Sequence, residues 1–146
     1  MSRDPILAPV LVQVLLTLAM YVRLIGAKTR AMKAGQVDMK RRALHDDAWP
    51  ESVIQINNNI RNQFELPVLF YALVFMLWAL DSAHYAALAA AWLFVLSRIV
   101  HAWVHTGPNT QPLRRQSFTF GWVMVAVLAG LAAWELGVRA LGYGPV

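Results

Sequence analysis

The sequence of 146 residues contains no cysteine, and only 14% of its residues are charged. The missing cysteine excludes disulfides, thiolate metal sites and a cysteine nucleophile, so any thiol chemistry needs a thiol carried by a ligand. A soluble domain of this length would carry about 25% charged residues. This deficit, together with 58% hydrophobic residues and a mean hydropathy of +0.46, places the chain in the membrane class.

Four apolar stretches are long enough to cross a bilayer. They predict an all-α integral membrane protein that forms a single domain over residues 1–146, built as a bundle of four transmembrane helices. The predicted helices cover 6–25, 51–80, 83–105 and 113–136, and loops cover 26–50 and 106–112. No signal-peptide cleavage pattern ends the first stretch, so we interpret it as a retained helix.

The basic residues are distributed unequally between the two ends of this bundle. Eleven of the 13 Lys and Arg residues lie in or beside the two loops, and only Arg3 and Arg139 lie at the other end. The positive-inside rule therefore predicts loops in the cytoplasm and both termini on the non-cytoplasmic side. The net charge of +5 is explained by topology, and we expect no nucleic-acid partner.

The stretch from position 57 to position 71 joins a polar half to an apolar half. Its polar half carries side chains that would share one face of a continuous helix, because they are three, four or seven residues apart: Asn58, Arg61, Asn62 and Glu65. Pro67 cannot donate a hydrogen bond to the carbonyl of Gln63, which predicts a kink near Glu65. We expect this face to form the floor of a polar site at the membrane edge.

Two other helix ends bring ionisable groups to the same edge. The third span ends with Arg98, His101 and His105, and the fourth opens with Arg114 and Arg115. Ionisable groups near a membrane usually face the bundle interior or a watery cavity. Guanidiniums bind carboxylates in forked pairs, and a carboxylate can hold an ammonium. These residues therefore favour a small, zwitterionic, peptide-like ligand. A nucleotide is less favoured, because the sequence has no glycine-rich phosphate-binding loop.

Structural roles for these residues remain open. Glu65 can pair with Arg61, or with Arg98 of a neighbouring subunit, and stabilise the bundle. Arg98 can also extend its charged head towards the interface. His101 and His105 have the i, i+4 spacing of metal ligands, but no H-E-x-x-H pattern accompanies them, so we expect no metal. The basic run at 40–42 can contact anionic lipids.

Three motifs occur in order along the chain: Asn-x-x-Glu with a nearby Pro (62–67), Arg-x-x-His (98–101), and Arg followed by Ser-Phe (114–118). Together they resemble the MAPEG family, the membrane-associated proteins of eicosanoid and glutathione metabolism. The stretch 64–71 is similar to the bacterial branch of that family, which implies a location in a bacterial inner membrane. The resemblance covers nearly the whole chain.

The resemblance implies a homotrimer with glutathione, a co-substrate, bound between subunits at the cytoplasmic edge. It implies a glutathione-dependent transferase or peroxidase acting on lipophilic electrophiles or lipid hydroperoxides. Arg114 would stabilise the glutathione thiolate, because a nearby guanidinium favours the ionised thiol. The other candidate binding residues are Arg30, Asn58, Arg61, Asn62, Glu65, Arg98, His101, His105 and Arg115. Asn58 and His105 stand where family members often have Arg and Tyr.

An alternative function is open. The chain can be a non-catalytic trimeric scaffold of the same fold that binds membrane lipids or a protein partner. That alternative predicts acyl chains in clefts between subunits and no saturable glutathione binding. The sequence does not decide whether the protein is an enzyme, and it names no electrophile.

Overall fold

The computed structural model describes residues 3–142, and every regular element in that range is helical. A 3-10 turn at Asp4–Ile6 leads into α1, and a second one at Asp46–Ala48 precedes α2. The five α-helices are α1 (Leu7–Lys33), α2 (Glu51–Asn62), α3 (Leu66–Ala79), α4 (Tyr85–Thr106) and α5 (Gln111–Ala140). With α2 and α3 taken as one span, four segments are long and apolar enough to cross a membrane. The all-α, multi-pass architecture predicted from the sequence is confirmed.

The first helix is longer than predicted, and the first loop is correspondingly shorter. α1 continues through Gly26 to Lys33, because a single Gly inside a helix costs only about 1 kcal/mol relative to Ala. Beyond that Gly, Ala27 and Ala31 are buried against apolar residues of α2, which extends the helix through packing. The loop therefore occupies 34–50 rather than 26–50.

The fourth span is also longer than the predicted 113–136. α5 begins at Gln111, because Pro112 fits the first turn of a helix, where its missing N–H is not needed. At its other end the helix passes through Gly137 to Ala140. The third span differs little from the predicted 83–105.

The second span is two helices rather than one kinked helix. α2 ends at Asn62 and α3 begins at Leu66. Pro67 has no N–H, and its ring would clash with the carbonyl of Gln63 in a continuous helix. Glu65 has φ −102° and ψ −100°, outside the helical region. The single helical face predicted from Asn58 to Glu65 is therefore wrong: the break interrupts it after Asn62.

The core lies between α3, α4 and α5. The rings of Phe70 and Phe94 stack with their centroids 4.3 Å apart. α4 and α5 approach closely at Gly121, where an added Cβ would lie 2.8 Å from the Ser97 hydroxyl oxygen. Small residues at such contacts allow membrane helices to pack tightly. Many large apolar side chains of α1, α3 and α5 are exposed, as expected for helices that face lipid or another subunit.

Both loops lie at the same end of the bundle. Arg23 Nη2 donates to the carbonyl of Thr106 at 3.0 Å, which joins α1 to the end of α4. At the opposite end, the Trp78 indole donates to Asp4 at 3.1 Å, and Arg139 of α5 donates to the Leu80 carbonyl. The basic loops are therefore separated from the start of α1 and the end of α5 by the length of the bundle.

A buried chain of three amides connects α1 to the break between α2 and α3. Gln13 Nε2 donates to Gln63 Oε1 at 2.8 Å, and Gln63 Nε2 donates to Asn59 Oδ1 at 3.2 Å. All three side chains are at most 2% exposed. Hydrogen bonds of this kind stabilise packed membrane helices, and here they fix the non-helical segment to α1.

Replacement of Gln63 by Leu should lower the free energy of unfolding in detergent by about 1 to 2 kcal/mol, because the bond to Gln13 of α1 and the bond to Asn59 of α2 are both lost and Gln13 is left buried without its partner. Thermal unfolding followed by circular dichroism measures the change. The matched control is Gln116→Leu, the same substitution at an exposed position of α5, for which we expect no loss. Equal unfolding midpoints for the two variants would contradict a structural role for the amide chain.

Candidate functional site

A pocket of about 310 Å³ opens beside the break between α2 and α3. We call it the edge pocket. It brings together five of the residues predicted from the sequence, which are Asn62, Glu65, His101, Arg114 and Arg115, with two further residues, Gln111 and Phe118. The break positions Glu65, the end of α4 supplies His101, and the first turns of α5 supply the two arginines. Three separate chain segments thus meet at one site.

His101 is the hydrogen-bonding centre of the edge pocket. Its Nδ1 lies 3.1 Å from the carbonyl oxygen of Arg114. A carbonyl only accepts, so Nδ1 must carry the proton. In the neutral ring Nε2 then accepts, which matches the Asn62 amide nitrogen 3.4 Å away. His101 therefore joins the end of α2 to the first turn of α5.

Arg114 has a fixed orientation, because Asn109 holds it. Arg114 Nη1 donates to Asn109 Oδ1 at 3.0 Å. Asn109 has a positive φ of 50°, and its N–H donates to the Val104 carbonyl at 2.8 Å. Asn tolerates this left-handed conformation better than most residues. Asn109 was missed from the sequence, which predicts only a loop over residues 106–112.

Arg98 lies behind the edge pocket and does not line it. Its side chain is fully buried, donates from Nη2 to the Asn62 carbonyl at 3.2 Å, and lies 5.8 Å from the Phe118 ring. Its Nε and Nη1 have no hydrogen-bond partner. Within residues 3–142, no carboxylate oxygen lies within 4 Å of this guanidinium. A buried cation with unpaired donors destabilises a fold, which makes Arg98 a candidate for a functional role.

His105 is buried next to His101 but does not reach the pocket wall. The two rings lie 5.4 Å apart, and His105 Nδ1 has no hydrogen-bond partner. Within residues 3–142, no group of three His, Cys, Asp or Glu side chains is arranged to hold a metal ion.

Three further predicted residues lie elsewhere in this chain. Arg61 forms an ion pair with Asp46 at 2.6 Å and a hydrogen bond to Asn58 at 3.3 Å, so both point away from the edge pocket. Arg30 lines a separate cavity of about 300 Å³ between α1, α2 and the end of α4, together with Arg23. One chain therefore does not assemble the whole predicted set.

Replacement of Arg98 by Met should raise the free energy of unfolding of the ligand-free protein by about 1 kcal/mol or more, because a buried, largely unpaired charge is exchanged for an apolar side chain of similar length. Thermal unfolding in detergent measures it. The control is Arg139→Met, which removes a guanidinium paired with Glu135 at 3.0 Å and should not stabilise. A less stable Arg98→Met protein would instead indicate that Arg98 is a structural tie.

Comparison with known proteins gives one match. The MAPEG family model matches residues 6–134. That range includes α1 to α4, most of α5 and every residue of the edge pocket. No curated protein and no solved structure matches the chain.

Proposed function

The chain belongs to the MAPEG family, and from this premise we propose that it is a membrane-bound, glutathione-dependent transferase or peroxidase acting on lipophilic electrophiles or lipid hydroperoxides. Family membership supports a glutathione-related membrane activity in general. The observation that carries the finer proposal is the edge pocket, which combines Glu65 with Arg114 and Arg115 at the end of the bundle that holds the basic loops.

The residues of the edge pocket fit the chemistry of glutathione. This tripeptide has two carboxylates, one ammonium group, two amides and a thiol. Glu65 can hold the ammonium, Arg115 can bind a carboxylate, and Asn62 can bond an amide. Arg98, behind the wall, adds positive potential without contact. The pocket thus offers a partner of the required charge for the ammonium and for one of the two carboxylates.

In this proposal Arg114 supports the reaction. Its guanidinium favours the thiolate over the thiol, and the thiolate is the nucleophile. Asn109 keeps this cation in one orientation, and His101 holds the backbone of Arg114. The sulfur then forms a bond to the electrophile, whose leaving group departs with its electron pair.

In this proposal the lipophilic substrate enters beside the edge pocket. A groove of about 380 Å³ lies between α4 and α5, lined mainly by apolar residues such as Leu96, Val100 and Phe120. Ser117 also lines it, and its hydroxyl lies 3.3 Å from His101 Nδ1. This contact links the apolar groove to the polar pocket.

The proposal includes a homotrimer with the basic loops in the cytoplasm. In one chain, Arg30 and Arg61 lie outside the edge pocket. A site between subunits would let a neighbour supply such cations, as the family resemblance implies. The clustering of basic residues at one end supports a cytoplasmic orientation of the loops.

Titration of glutathione into the purified protein tests binding. Isothermal calorimetry should give a saturable signal for the natural sequence, and Glu65→Gln should weaken binding about tenfold or more, because the ammonium loses its only carboxylate in the pocket. Glu51→Gln, at the exposed start of α2, is the matched control. Negligible heats for the natural protein would exclude glutathione as a ligand.

Arg114→Ala tests the catalytic assignment. Turnover of a model electrophile such as a halogenated nitrobenzene should fall about 100-fold, while the oligomer keeps its size in chromatography. The ultraviolet absorbance of the glutathione thiolate should appear only at higher pH, because the cation that favours ionisation of the thiol is absent. Asn109→Gly, which tolerates the positive φ, should give a smaller loss. Unchanged turnover in Arg114→Ala would overturn this role.

A non-catalytic scaffold is the second candidate function. The ion pair between Arg61 and Asp46 favours it, because Arg61 is one of the residues predicted to bind glutathione and this pair holds it outside the edge pocket. In that case the protein would bind lipids or a partner, and glutathione would give no heat with any variant.

A further inference from the structure

A second polar cavity lies on the same end of the bundle, outside the edge pocket. It has a volume of about 190 Å³ and lies between α1, the loop 34–50 and α2. Lys28 and Arg42 contribute cations to its wall, and His45, Trp49 and Asn57 contribute polar and aromatic groups. We call it the loop cavity. The family match assigns no role to the loop cavity, and the proposed reaction does not involve it.

The loop that closes this cavity is held by specific bonds. Asp46 forms its ion pair with Arg61 of α2 at 2.6 Å, and the Trp49 indole donates to the Arg42 carbonyl at 3.2 Å. A further ion pair joins Arg41 to Asp47 at 2.8 Å, and the Arg41 guanidinium holds the pKa of Asp47 below its usual value. Ion pairs and hydrogen bonds therefore hold the loop that forms the cavity wall in one conformation.

The charge in the loop cavity is positive and uncompensated. Lys28 Nζ lies 4.9 Å from the centre of the Trp49 ring, in a cation–π contact. The hydrogen bond from the Arg42 guanidinium goes to the Met32 sulfur, a weak acceptor. In the described part of the chain, neither cation lies within 4 Å of a carboxylate. The one acid in the wall, Asp46, is already paired with Arg61.

The depth of the cavity matches the headgroup layer of a membrane. At 1.5 Å per residue, the first 20 residues of α1 cross about 30 Å of hydrocarbon. α1 starts at Leu7, so Lys28 lies just past the hydrocarbon edge. Trp residues are enriched at this interface, which suits Trp49.

We propose that the loop cavity binds the phosphodiester headgroup of an anionic phospholipid, with Lys28 and Arg42 as the phosphate ligands and Trp49 orienting Lys28. Phosphate oxygens accept from ammonium and guanidinium groups, and these two cations have no anionic partner in the chain. The phosphate oxygens of a soluble phosphate ester would accept the same hydrogen bonds. The depth of Lys28 favours the lipid.

The test compares lipid retention by the full-length protein in mild detergent. Native mass spectrometry of samples mixed with phosphatidylglycerol should show specific adducts. The double variant Lys28→Gln/Arg42→Gln should weaken their binding about tenfold or more, since each cation near a membrane surface contributes severalfold. The matched control, Lys33→Gln/Lys40→Gln, removes the same charge outside the cavity wall and should bind as the natural protein does.

Further measurements distinguish a lipid headgroup from a soluble phosphate ester and control for misfolding of the loop. Phosphatidylcholine should give no specific adduct, and millimolar glycerol phosphate should not displace phosphatidylglycerol; displacement would overturn the lipid assignment in favour of a soluble phosphate ester. Arg42→Lys, which keeps the charge, should retain binding, so that loss in the double variant cannot be ascribed to a collapsed loop. Equal weakening in the double variant and its charge-matched control would overturn the site, because diffuse surface charge would then explain the adducts.

Discussion

The break that Pro67 imposes on the second span is the constraint on which the edge pocket depends. A helix that ends at Asn62 leaves its last carbonyls without intrahelical partners, and Arg98 donates to the carbonyl of Asn62. The same break brings Glu65 beside the start of α5. Gln63, whose φ and ψ are still helical, bonds Gln13 of α1 just before the break. A continuous helix would bond the Asn62 carbonyl within itself and would place Glu65 differently.

Stability and function oppose each other around this break. Gln13, Gln63 and Asn59 form a bonded chain that stabilises the bundle, whereas Arg98 is buried with two unpaired donors. Proteins retain such unfavourable groups mainly where a ligand or partner makes use of them. Arg98 bonds the last residue of α2, Asn62, and Gln63 follows directly after it. The end of α2 therefore holds both a stabilising hydrogen-bonded amide and a contact with an unfavourable buried cation.

The edge pocket and the loop cavity are separate positive sites, and Arg61 lines neither of them. The sequence groups Arg61 with the glutathione ligands, but the structure pairs it with Asp46, which closes the loop cavity. In the proposed trimer, a change at Arg61 would affect both the loop and the site between subunits. The two proposals remain independent, because headgroup binding needs only Lys28 and Arg42.

The sequence by itself determined the membrane class, the four spans and the common end of the ionisable residues, because hydropathy and charge act along the chain over tens of residues. It also indicated a distortion near Glu65, since the effect of a proline is local. Only the tertiary structure decided that the distortion is a complete break, that Asn109 holds Arg114, and that Arg61 bonds Asp46 rather than lining the edge pocket. These outcomes depend on which side chains from distant segments meet, and linear spacing does not encode those distances.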